Sequence, residues 1–195
     1  MAKRLELVAH APAAGTAASI FGDPGHLLDQ SSIAPLDGRV SCWYRGPELA
    51  CAETTTALGG TAEVIDALRG CDFGCWTGRS LAELGVEKPD GLRQWLNDAQ
   101  ARPHGGESLA QLVSRVGATI DQWKWPDGRS VVVVAPLVVR AIIAHVLQAP
   151  PTVIFRIDVS PLSKVAISRG TDVWRLRFGA QTAETHDHRQ GASGC

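Results

Sequence analysis

The sequence predicts an α/β fold in three layers, α/β/α, with a mostly parallel central sheet. Three observations carry this. Strand-like and helix-like segments alternate along the chain, which favours a sheet covered by helices on both faces. Ser130 to Val134 is a run rich in β-branched residues, the pattern of a central parallel strand buried on both sides. Val138 to Leu147 is apolar all round except at Arg140 and His145, so this helix belongs against the core.

The elements follow in order. Arg4 to Ala9 is short, apolar and dense in Leu and Val, which reads as a buried strand. Ala11 to Asp37 is rich in Ala, Gly, Pro and Ser and reads mostly as loop. Val40 to Tyr44 is a second strand candidate. Pro47 stands where a first helical residue belongs, with Glu48 in the first turn, so a helix is expected to about Leu58. Ala62 to Leu68 suits a strand or sheet-edge segment. Gly74, Gly78 and Gly85 mark a loop-rich region, and Asp90 to Gln100 reads as a helix with Leu92, Trp95 and Leu96 on one face. The clearest helix starts at Ser108, which has capping-box spacing to Gln111. Its stripe is Leu109, Leu112, Val113, Val116, Ile120 and Trp123. Gly128 closes the following turn. Arg156 to Val159, Lys164 to Ser168 and Val173 to Phe178 read as the last strands. The reading is one domain over residues 1–178 and a polar, disordered tail over 179–195.

Composition narrows the function. The chain has 195 residues, 45% of them hydrophobic and 20% charged, and its net charge is −1. That leaves no basic footprint for nucleic acid or for an acidic membrane. Glu6 interrupts the first apolar run, which is too short for the core of a signal peptide, and no stretch approaches a membrane span. Cys42, Cys51, Cys71, Cys75 and Cys195 are odd in number and irregularly spaced. This predicts reduced thiols in a cytoplasmic protein rather than a disulfide framework. Cys71 and Cys75 lack a second ligand pair, so no metal site is expected, and no cofactor. His186, Asp187 and His188 lie in the tail, where no rigid element sets ligand geometry.

In parallel sheets ligands gather at the carboxyl ends of strands. Two segments qualify: Ala9 to Ala11 after the first strand, and Ala135 to Val138 after the strand through Val131. They also carry a resemblance. LVAHA at 7–11, CDFGCWTGRSLAEL at 71–84, PHGGESLAQLVSRV at 103–116 and VVVVAPLVVRAIIAHVL at 131–147 resemble, in order, motifs of the histidine phosphatase superfamily, the phosphoglycerate-mutase-like fold. The likeness spans residues 4–178. It implies a phosphohistidine nucleophile, two arginines and a second histidine on the phosphoryl oxygens, and an acid for the leaving group.

Carried over residue by residue, the resemblance makes His10 the candidate nucleophile. The neighbouring family arginine is matched by Ala9, the second arginine by Ala50 and the second histidine by Ala135. Gly70 stands where the acid usually lies. Ala9, Ala50 and Ala135 are therefore degenerate substrate-binding positions. Asp72 is a candidate replacement acid or a residue that fixes the turn before Gly74. Glu107 is a catalytic candidate or a carboxylate that complements the dipole of the capped helix. Arg45 is a candidate anion contact or a solvated loop residue. His104 and Trp76 are candidates for the mouth of the cleft. Arg140 and His145 read as structural. The first crossover helix looks shortened, since Leu27 to Arg39 leaves it little room.

Phosphoryl transfer depends on fixed positive groups around the equatorial oxygens. Their loss at three matched positions predicts a pseudo-phosphatase with a binding or regulatory role. The alternative is a divergent phosphomonoesterase that keeps His10 as nucleophile. The expected partner is a small phosphorylated molecule or another protein, with no nucleic acid and no membrane.

Overall fold

The computed structural model describes residues 3–13, 19–22, 25–27, 29–170 and 173–177. The tail and its His186–His188 cluster lie outside the described residues. The sheet has six strands in the order β3-β2-β4-β1-β5-β6. They are β1 (Lys3–Ala9), β2 (Cys42–Arg45), β3 (Glu63–Val64), β4 (Gly128–Val134), β5 (Lys164–Arg169) and β6 (Trp174–Arg177). β1, β2, β3 and β4 run parallel, while β5 and β6 form an antiparallel edge beside β1.

Two apolar layers flank the sheet because side chains alternate along each strand. On one face Leu5, Leu7, Val132 and Val134 meet α4 (Leu109–Gln122) and α5 (Pro136–Val146). On the other, Val8, Val131 and Val133 meet α1 (Leu49–Ala57). The Ser108 cap is formed in both directions, Ser108 Oγ accepting from the Gln111 N–H and Gln111 Oε1 from the Ser108 N–H. The predicted stripe is buried through Ile120, whereas Trp123 is only half-buried and Trp125 takes the interior place. Trp125 Nε1 donates to the Ile120 carbonyl, which satisfies the buried indole.

Several local expectations are corrected. Pro47 does not open the first helix. Glu48 is its N-cap and the helix begins at Leu49, since the Glu48 carbonyl takes the first helical N–H bonds from Cys51 and Ala52. The region around Gly78 and Gly85 contains a helix, α2 (Leu81–Glu87), held by a capping box between Ser80 and Glu83. The next helix, α3, spans Pro89–Asn97. Arg156 to Val159 is no strand. Pro151 at the first position starts a 3₁₀ turn through Arg156, and the edge of β1 is taken by β5. Ala62 to Leu68 holds only the two-residue edge strand β3 and a 3₁₀ turn at Asp66–Leu68. Among the described residues between β1 and β2 there is no helix.

Candidate functional site

Parallel pairing of β1 with β4 places Ala9 opposite Val134, so both strands end at the same edge of the sheet. His10 and Ala135 follow directly, and the His10 N–H donates to the Val134 carbonyl at 3.0 Å. The loop after His10 is fixed from the other side. The Ala11 N–H donates to Oγ1 of Thr54, a buried residue of α1, at 2.9 Å. His10 is 2% exposed, and its Nδ1 lies 2.8 Å from the Ala11 carbonyl oxygen. A carbonyl only accepts, so Nδ1 carries the proton in this bond.

His10 and Ala135 line a cavity of about 710 Å³. Its walls are largely apolar. Phe21 packs edge-on against Phe73 at 4.9 Å between centroids, and Trp95 packs against Phe155 at 5.0 Å. The Phe21 segment is fastened by Phe21 N–H to the Arg79 carbonyl and Gly78 N–H to the Phe21 carbonyl, each at 2.9 Å. Leu137, at the start of α5, completes this apolar lining.

The charged lining residues are Glu48, Arg69, Asp72 and Arg140. The Glu48 carboxylate accepts from the Gly70 N–H and, at 3.6 Å, from the Cys51 thiol. It thereby ties the N-terminus of α1 to the 69–72 segment. Asp72 Oδ1 accepts from the Gly74 N–H at 2.8 Å, the bond of an Asx turn, yet the residue also faces the cavity. The bond to Gly74 is the turn-fixing role expected of Asp72. Arg140 has its Nε buried with no hydrogen-bond partner, and its nearest carboxylate, the exposed Asp158, is 3.9 Å away.

The other candidates are placed elsewhere. Ala9 and Ala50 are fully buried, in the apolar layers on opposite faces of the sheet, and neither lines the cavity. Arg45 folds back on its own turn, donating to the Gly46 carbonyl at 2.9 Å. Glu107 forms a two-armed pair with Arg115, at 2.8 and 2.7 Å, beside a second, open cleft that shares Arg69 and Asp72 with the cavity. Arg115 continues to the carbonyls of Ala67, Arg69 and Gly70, so the pair braces the segment that forms the cavity wall.

His104 and Trp76 do not line the mouth. They are 2% and 3% exposed and pack on each other at 5.0 Å. His104 Nδ1 accepts from the Gly106 N–H at 3.0 Å, and burial pushes its pKa down. His145 is a packing residue. Its Nε2 meets Asp121 at 2.9 Å, and its ring occupies the space a side chain at Gly117 would need. Cys71 is buried, and burial followed by the Glu107 charge pushes its thiol up to about 12, which favours the protonated form. Among the described residues no group of His, Cys, Asp or Glu is arranged to hold a metal, and no helix is long and apolar enough to cross a membrane.

Glu48 and Arg69 are the site residues that sequence reasoning missed. Glu48 reaches Gly70 across 22 positions of sequence, and nothing local signals that approach. Arg140 was visible as the one cation near the start of an apolar helix but reads from sequence as a structural partner.

Comparison with known proteins places the fold. A bifunctional protein of Mycobacterium tuberculosis is 32% identical over 111 residues, 55% of this chain but only 30% of that protein. The chain thus matches less than a third of that relative's length. An α-ribazole phosphatase from Shigella flexneri superposes with a TM-score of 0.75 at 19% identity, covering 89% of this chain and 94% of that one. A mycobacterial glucosyl-3-phosphoglycerate phosphatase solved with VO3 gives 0.73 at 21% identity, covering 90% and 98%. The sequence family described as histidine phosphatase superfamily, branch 1, matches residues 38–182, a span that starts after β1 and takes in neither Ala9 nor His10. With most of its length matched, the chain belongs to the histidine phosphatase superfamily.

Proposed function

We propose that this chain is a non-catalytic member of its superfamily, a binding or regulatory module that uses the cavity beside His10 to hold a small molecule. The observation that carries the reading is the charge balance of the cavity wall. Arg69 and Arg140 are offset by Glu48 and Asp72, and the residues flanking the imidazole's strand end are Ala9 and Ala135. A phosphoryl group in transfer carries its charge on the equatorial oxygens and needs a clear excess of fixed positive charge or N–H donors. Removing one such donor costs on the order of 10²–10³ in rate. A carboxylate in the same wall adds repulsion against a dianion.

A second reading has a specific observation behind it. With Nδ1 of His10 donating to the Ala11 carbonyl, the neutral ring presents Nε2 as its basic nitrogen. That is the state a nucleophilic imidazole requires, with Asp72 as the available acid. In that reading the chain is a divergent phosphomonoesterase with His10 as its phosphohistidine nucleophile.

Vanadate binding separates the two. The binding-module reading expects vanadate to bind with a Kd of about a millimolar or weaker, a free energy no larger than about 4 kcal/mol. Micromolar binding by calorimetry, lost in His10→Ala, would favour the esterase.

A further inference from the structure

The hydrogen-bonding state of the cavity wall identifies the chemistry of the molecule it takes. Its carboxylates are engaged: Glu48 accepts from Gly70 and Cys51, and Asp72 accepts from Gly74. Two donors of its lining residues have no partner within the protein. Arg140 Nε is buried and unpartnered, and so is the indole Nε1 of Trp95, a residue 3% exposed. Both residues line the cavity and both border the same part of the chain. Trp95 packs on Phe155, and Arg140 points its Nη2 toward Asp158. Asp158 is 93% exposed and 3.9 Å away, so it screens the guanidinium only weakly. An unpaired buried donor costs free energy that an acceptor on a ligand recovers. The rest of the wall is aromatic and aliphatic, and a cavity of about 710 Å³ lies within the usual size of small-molecule sites.

We propose that the cavity binds a small carboxylic acid with an aromatic or branched aliphatic body, its carboxylate received by Arg140 and its body lying against Phe21, Phe73, Trp95 and Phe155. The inference rests on the binding-module reading and names its ligand class. A carboxylate suits Arg140 because it is a planar monoanion that a guanidinium takes through two N–H bonds. A phosphate dianion suits it less, since Glu48 and Asp72 share the wall. Glu48 and Asp72 keep further acceptor sites, so the preference for an acid over an amine rests on Arg140.

The test is calorimetry on the full chain with 3-phenylpropionate, 3-phenylpropylamine, 3-phenylpropanol and inorganic phosphate as probes. The acid should bind at least about tenfold more tightly than the amine or the alcohol. Arg140→Gln should abolish that preference, Arg140→Lys should retain part of it, and Trp95→Phe should weaken the acid selectively while the aromatic contact stays. Circular dichroism confirms that each variant is folded. Equal or tighter binding of the amine, an unchanged preference in folded Arg140→Gln, or no binding of any probe at ~10 mM overturns the proposal. If phosphate alone binds tightly, the binding-module reading fails with it. If phosphate stays weak and the acid does not bind, only the ligand class fails.

Discussion

Replacing Glu107 by alanine removes one half of the most enclosed ion pair among the described residues near the site. The carboxylate side chain is 10% exposed and that of Arg115 16%. Breaking a buried pair leaves an uncompensated charge and typically costs about 3–5 kcal/mol, and the residual exposure here places the cost near the lower end, about 3 kcal/mol. In a domain of this size each kcal/mol shifts Tm by about 2–4 °C, so the variant should melt roughly 6–12 °C below wild type. The loss should reach the cavity, because Arg115 also holds the carbonyls of Ala67, Arg69 and Gly70. Hydrogen exchange of the Gly70 amide, which donates to Glu48, should quicken beyond the global effect. Glu107→Gln keeps an acceptor in place and should lose less. Differential scanning calorimetry measures the shift. A Glu107→Ala variant melting within about 1 °C of wild type would refute the bracing role and return Glu107 to the list of candidate chemical groups.

The remaining predictions concern burial. His104 has its pKa lowered by burial, so the folded protein keeps the ring neutral over pH values at which the unfolded chain, with an ordinary value near 6.5, takes up a proton. Its contribution to stability is complete above that value and declines as pH falls below it. Melting curves from pH 7.5 to 5 should show this slope, reduced in His104→Gln, which can still accept from Gly106. Gly117→Ala would set a methyl group against the His145 ring, and Asp121 holds that ring, so Tm should fall in line with about 1–3 kcal/mol of overpacking. Iodoacetamide at pH 8, followed by peptide mass spectrometry, should label exposed Cys75 well before Cys71, whose thiol is pushed up to about 12.

Much of the fold was legible because its signals are local. The run through Val131–Val134 marks β4, and Ser108 with Gln111 marks the start of α4 to the residue. The edge shared by His10 and Ala135 follows from two apolar strands ending in polar or small residues. The Ser80–Glu83 box was equally local but was obscured by Gly78 and Gly85. Arg156 to Val159 carries apolar residues because Ile157 and Val159 pack on the core as loop, not as strand. The site was harder to read. Glu48 with Gly70, and Arg115 with the carbonyls of 67–70, are approaches between distant segments, which only the packed structure brings together. Arg140 could be placed on its helix from sequence, but whether its charge was paired depended on where Asp158 lies.

The most direct test of the central claim is hydrolysis of p-nitrophenyl phosphate by wild type and His10→Ala, purified side by side free of contaminating phosphatase, with Tm measured for both. His10 is buried and its Nδ1 meets the Ala11 carbonyl, so the variant should lose about 1–3 kcal/mol of stability yet remain folded. The binding-module account predicts that the two rates are indistinguishable from each other and from the buffer. Reproducible turnover by wild type that disappears in a folded His10→Ala protein would contradict it and establish His10 as a working nucleophile.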